Sequence, residues 1–157
     1  MKVLAAVLLA GSLAFCLQSE AAEKTKLTSI QGIAEATEAK LKTAGVNSTD
    51  ELLEKGGTPK GREELAAKSG LPPVQILRFV NYADLMRIKG IGGQTSELLQ
   101  AAGVDTVAEL AKRNASNLAA KLTEVNEAKK LTGQVPAEKQ VAEWIAAAKT
   151  LPKKVTY

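Results

Sequence analysis

Leu27-Thr28-Ser29-Ile30-Gln31-Gly32-Ile33-Ala34 returns at an offset of 58 residues as Leu85-Met86-Arg87-Ile88-Lys89-Gly90-Ile91-Gly92. The register continues without a gap through Thr37, Leu41, Ala44, Gly45, Val46, Glu51 and Leu52. These are matched by Thr95, Leu99, Ala102, Gly103, Val104, Glu109 and Leu110, giving eleven identities in a 26-residue window. Shared composition does not sustain so long a register, so the chain is an internal duplication.

Both copies have the same physical reading. A short helix carrying Leu27 and Ile30 (Leu85 and Ile88) meets a tight turn at Gly32-Ile33 (Gly90-Ile91), where glycine supplies backbone angles closed to other residues. The next helix places Thr37, Leu41 and Ala44, or Thr95, Leu99 and Ala102, on one face. Gly45 and Gly103 stand where a helix ends in the left-handed region. Ser48 with Glu51, and Thr106 with Glu109, have capping-box spacing, which assigns these glutamates to helix starts rather than to acid-base chemistry.

Beyond the duplicated core, Gly61 to Lys68 reads as a helix. Pro73 opens another with Val74, Leu77 and Val80 on one face. Leu118, Leu122, Val125 and Leu131 mark a longer helix, and Val141, Trp144, Ile145 and Ala148 a last one. Nothing alternates with period two over a useful length, so the expectation is an all-α protein of nine or ten short helices. Asn47 and Asn114 begin Asn-x-Ser/Thr triplets but stand just ahead of helices, where turn or cap duty explains them. Lys153-Lys154 read as a solvated tail.

Lys2, the apolar run Val3 to Leu17 and small residues at Ser19 to Ala21 read as a secretory signal over residues 1–21, broken by Gly11 and Ser12 and too short for a membrane span. Phe15-Cys16 departs from a lipobox, whose residue before the cysteine is small, so no lipid anchor is expected at Cys16. The expectation is an exported chain, periplasmic or secreted. Its units are 22–84 and 85–157. Cys16 is the single cysteine and there is no histidine. If cleavage falls at Ala21 the mature chain has neither, which excludes cysteine and histidine nucleophiles, disulfides and nearly every zinc site, and no metal or cofactor is expected.

The charge is uneven. Residues 22–84 carry nine basic and nine acidic side chains, residues 85–157 eleven and seven. A surplus confined to the second half favours an anionic partner there, if that half has one.

Ile88-Lys89-Gly90-Ile91-Gly92 followed by Ala102-Gly103-Val104-Asp105-Thr106 resembles the helix-hairpin-helix superfamily. The first copy fits less well, with Ala34 in place of the second glycine. Ala83 to Gly92, Glu109 to Asn114 and Val141 to Lys149 resemble a bacterial family catalogued as a domain of unknown function, number 4332. The resemblance implies two tandem helix-hairpin-helix units. It also implies contact with a nucleic-acid backbone, in which glycine-turn amides at a helix start cradle a phosphate.

Carried over residue by residue, the candidates are Arg87, Lys89, Gly90, Ile91, Gly92, Gly93, Gln94 and Thr95, with Gly32, Ile33 and Ala34 as a degenerate counterpart. Where DNA-binding members carry a proline and then a base, this chain has Gly93 and Gln94, and Glu35 would repel a phosphate at the first turn. The expected function is therefore a non-catalytic binding module with a protein partner. Sequence-independent binding of duplex DNA through the second hairpin is the alternative, and a carboxylate-based glycan hydrolase the remote third.

Overall fold

The computed structural model describes residues 26–157. The expected signal over 1–21 and Cys16 lie outside the described residues. Within them the protein is all-helical. A 3-10 turn at Leu27–Ser29 precedes α1 (Glu35–Thr43), α2 (Thr49–Gly56), α3 (Pro59–Ser69), α4 (Pro73–Leu85), α5 (Gly93–Ala101), α6 (Val107–Leu110), α7 (Ala115–Lys129) and α8 (Glu138–Thr150).

The duplication is preserved bond by bond. Ile33 N–H donates to Ile30 O and Ile91 N–H to Ile88 O, both at 3.1 Å, around Gly32 and Gly90 at φ 90° and 91°. α1 and α5 end alike. Val46 N–H reaches Leu41 O (3.0 Å) and Gly45 N–H reaches Lys42 O (2.9 Å), while Val104 N–H reaches Leu99 O (2.9 Å) and Gly103 N–H reaches Gln100 O (3.0 Å). This paired 6→1 and 5→2 pattern around a left-handed glycine satisfies carbonyls that the helix end would otherwise leave open.

Two details escaped the sequence reading. Ser48 and Thr106 cap α2 and α6 as expected, but Glu51 and Glu109 accept from the amides of Asn47 and Asp105 (2.9 Å each), one residue before the cap. The Asn47 amide holds the Glu51 carboxyl below its usual range, against the opposing effect of burial. The other detail is a cation at matched positions: Lys55 Nζ, on α2, donates to Gly45 O and Arg113, just past α6, to Gly103 O (2.6 Å), each closing its glycine turn. Neither was visible as a partner, because the ten-residue separation crosses a turn.

Of the short helices expected before the glycine turns, the first forms as a single 3-10 turn and the second is absorbed into the preceding helix, Leu85 being the last residue of α4. The expected face of α4 also shifts. Val80 is buried and Leu77 packs partly buried on the first core as read, but Val74 is 75% exposed, and Ile76, Phe79 and Ala83 join the buried side. α7 stops at Lys129, with Lys130 in the left-handed region, so Leu131 lies beyond it. The last helix buries Val141, Trp144, Ile145 and Ala148 as read.

Two apolar clusters form. One is gathered from Leu27 to Met86, the other from Leu85 to Ala148, so neighbouring residues at the end of α4 feed different cores. α4 packs on α2 and α3 in the first, and α8 on α6 and α7 in the second.

Val155 crosses back into the first cluster. The C-terminal segment is thus docked, although the side chains of Lys153 and Lys154 remain exposed. The cause is Arg62, 7% exposed, which donates to Gly56 O (3.1 Å), Gly57 O (3.2 Å) and Thr156 O (2.8 Å). Thr156 N–H returns a bond to Gly57 O at 2.8 Å. Gly57 permits this approach, since a Cβ there would stand 2.5 Å from Lys154 O.

Arg62→Ala removes a donor from three carbonyls, of which Gly57 O keeps Thr156 N–H, and is expected to cost about 2 kcal/mol, the loss being moderated because burying the cation is itself unfavourable. Deleting residues 153–157 should cost a similar amount. In urea unfolding the double variant should lose less than the sum. Additive losses would show that Arg62 and the tail act separately.

Candidate functional site

The second glycine bend is built by the end of α4, the Gly90 turn and the start of α5. Gly92, at φ −106°, occupies the N-cap position of α5 without a capping side chain, and no acid lies in the first turn. The leading amides of a helix have no partner within it, so this end presents open donors and the positive end of the helix dipole. α1 begins with Ala34, also without a side-chain cap, but Glu35 and Glu38 fall in its first turn and neutralise that end. The copies share a backbone and differ in charge.

The sequence candidates do not converge as one group. Arg87 is taken up inside the fold: it pairs with Asp84 (2.7 Å) and donates to Pro152 O (3.0 Å), with its side chain 14% exposed. Lys89 is exposed and Ile91 is fully buried in the second core. A Cβ on Gly90 would stand 3.2 Å from Trp144 Nε1. Gly92 faces open space, whereas Gly93 abuts the first copy: a Cβ there would collide with Ser29 O and stand 3.4 Å from Gln31 N. Gly93 therefore serves the contact between the two bends.

Gly90, Gln94 and Thr95 form one wall of a recess of about 470 Å³. Gln140 and Trp144 from α8 form the opposite wall, and the α7–α8 connection at Thr132, Gly133, Gln134 and Pro136 closes the rim. That connection is held by Asn126, mostly buried near the end of α7, whose Oδ1 accepts from Thr132 N–H (2.9 Å) and whose Nδ2 donates to Thr132 O (3.0 Å). Thr132 Oγ1 further accepts from Gln134 N–H at 3.3 Å.

No charged side chain lines the recess. Trp144 is only 4% exposed, and the edge of its indole ring reaches the recess beside Gly90. The cationic surplus of the second half gathers elsewhere. Lys112, Arg113 and Lys121 line a separate concavity of about 290 Å³ beside the C-terminal end of α5. There burial, and then Glu109, push the neighbouring Asp105 carboxyl above its usual range, against Arg113.

Sequence reasoning placed Gln94 and Thr95 at the bend but missed Thr132, Gln134 and Gln140. They lie about forty residues downstream, Thr132 and Gln134 in the α7–α8 connection and Gln140 on α8, where no motif marks them. No group of His, Cys, Asp and Glu suited to a metal occurs among the described residues, and no helix there is long and apolar enough to cross a membrane.

The family described as Domain of unknown function (DUF4332) matches residues 31–151. The chain belongs to that family. The match takes in both glycine bends, every helix from α1 to α8 and all residues lining the recess, so the site lies wholly inside the DUF4332 region. Comparison of this DUF4332 protein with curated proteins and with solved structures returned no match.

Proposed function

We propose that this protein is a non-catalytic binding module of helix-hairpin-helix type, exported from the cytoplasm, that engages a protein partner at the recess beside its second glycine bend. The observation that carries this reading is the uncharged, hydrogen-bonding lining of the recess. A duplex backbone is held chiefly by cations, and here Arg87 is spent on Asp84 while the basic cluster lies at the other end of α5. A protein surface can supply the neutral donors and acceptors that the glutamines and threonines match.

A photo-crosslinking residue in place of Gln134, on the rim, is expected to trap a discrete protein in the native host, while the same residue in place of exposed Val74 traps none. Equal labelling from both positions would remove the recess as the binding face.

One observation favours duplex DNA as a second reading: the uncapped start of α5, with Gly92 open to solvent. Gly92→Glu suits the test, since nothing lies within 4 Å of the new Cβ and the fold should be unchanged. A gel shift of the wild type that weakens steeply with salt and disappears in Gly92→Glu would install the DNA reading. The expected result is no salt-dependent shift in either protein.

A further inference from the structure

We propose that the concavity at Lys112, Arg113 and Lys121 is a binding site for a phosphomonoester. The site stands apart from the recess, at the other end of α5, and is independent of what the recess binds. Its origin is the cationic surplus of residues 85–157, which the recess leaves unused. Three of those cations line one concavity of about 290 Å³, and no acid lines it. Like charges drawn together repel, and a cleft walled by one sign of charge concentrates counter-ions.

The fold asks for only one of the three. Arg113 is fixed by its bond to Gly103 O, which uses one of its N–H groups and leaves the others to donate. Lys112 is exposed and makes no side-chain bond among the described residues. Lys121 pairs with Glu124 at 2.9 Å, but both side chains are largely exposed, and a pair of that kind gives way at little cost. At the offset of 58 residues Lys112 answers to Glu54, so the repeated backbone does not require a cation there. Lys112 and Arg113 also directly precede the Asn114 cap of α7, at the helix end that disfavours positive charge, and no acid in its first turn offsets them. A bound anion supplies the missing charge.

Charge and oxygen count choose the anion. A phosphomonoester carries close to two negative charges at neutral pH and three acceptor oxygens, one for each cation. Arg113 and the two lysines supply charge-assisted donors. Asn114 Oδ1 is taken by Asn117 N–H (3.0 Å), and the Nδ2 groups of both asparagines add neutral donors to the lining. Leu118, 5% exposed, gives the lining an apolar patch that lowers the local dielectric and strengthens each charge contact. A carboxylate brings one charge, and so does each diester phosphate of a duplex. Both leave part of the cationic surplus unmatched.

The full chain, folded and 15N-labelled, is titrated with glycerol phosphate, with inorganic phosphate and with acetate at matched ionic strength. The Arg113 Nε–H and the Asn114 and Asn117 side-chain resonances should shift saturably with both phosphates, and about tenfold more weakly with acetate. Lys112→Glu places the first copy's residue at an exposed position and should weaken glycerol phosphate about tenfold or more, the worth of one hydrogen bond to a charged group. Lys89→Glu, an equal charge change at the exposed lysine of the second bend, should leave the affinity within about twofold, since exposed charges beyond a Debye length are screened. Sedimentation with phosphatidylcholine vesicles containing phosphatidic acid, lost in Lys112→Glu, assigns the ester to a lipid headgroup. Soluble binding without sedimentation assigns it to a free ester.

No saturable shift with either phosphate overturns the inference, as does acetate binding as tightly as glycerol phosphate. Equal weakening by Lys89→Glu and Lys112→Glu overturns it too, because net charge rather than the concavity would then hold the anion. A duplex oligonucleotide that binds more tightly than glycerol phosphate replaces the phosphomonoester site with a nucleic-acid surface.

Discussion

Asp84→Ala is expected to lower the unfolding free energy by about 4 kcal/mol, the largest effect of any single polar substitution in the protein. Asp84 is 1% exposed at the end of α4. One oxygen takes Arg87 at 2.7 Å, and the other accepts from Val107 N–H at 2.9 Å, the first residue of α6. Alanine leaves a guanidinium that is itself largely buried without its counter-charge, and a buried helix-start amide without its acceptor. Each loss carries a desolvation penalty.

Asp84→Asn keeps the shape and one acceptor oxygen and should cost about half as much. Urea unfolding followed by circular dichroism measures both. Losses under about 1 kcal/mol for the alanine variant would mean that the carboxylate is not the junction it is described as. The position corresponding to Asp84 in the first copy is Lys26, so the device belongs to the second copy alone. Asp84 and Arg87 have helical spacing in the sequence, but the bond to Val107 spans 23 residues and no local pattern announces it.

Gly93→Ala is expected to destabilise by about 3 kcal/mol, while Gly92→Ala, its neighbour, costs under about 1 kcal/mol. Helix propensity alone gives the opposite sign at Gly93, since alanine inside a helix gains about 1 kcal/mol over glycine. The contact reverses it. A methyl at Gly93 meets the backbone carbonyl of Ser29, which cannot rotate away, and so pushes α5 off the first bend. Gly92 has nothing within 4 Å and loses only its preference for the N-cap position. Thermal unfolding of the two variants side by side is the measurement. A stabilised Gly93→Ala would show that the bends do not touch in solution.

These two glycines also show how far the candidate site could be read in advance. Adjacent, identical and both candidates at the second bend, they look interchangeable in the sequence. One is solvent-facing and the other is an internal contact, because the first copy folds against only one side of the α5 start. Arg87 is a similar case. Its place beside the bend suggested a free charge, and its commitment depends on Asp84 and on the carbonyl of Pro152, 65 residues away.

α4 shows the same limit for the fold. Val74, Leu77 and Val80 have helical spacing, but the buried side is set by what covers the helix, and nothing covers Val74 at its start.

The sequence by itself determined the duplication, the all-helical class, the glycine bends, the helix ends at Gly45 and Gly103 and the caps at Ser48 and Thr106. Each of these is a contest between conformations within a few residues, and residues such as Gly90, Gly103, Ser48 and Thr106 decide it locally. Tertiary structure alone decided what the bends are used for. It set Gly93 against Ser29, drew Arg87 and Asp84 inward, returned Val155 to the first core, and brought Gln140 and Trp144 opposite Gln94 to make an uncharged recess. Those outcomes depend on distances between residues tens of positions apart. Such distances are fixed when two apolar clusters close around a shared helix, and no local preference encodes them.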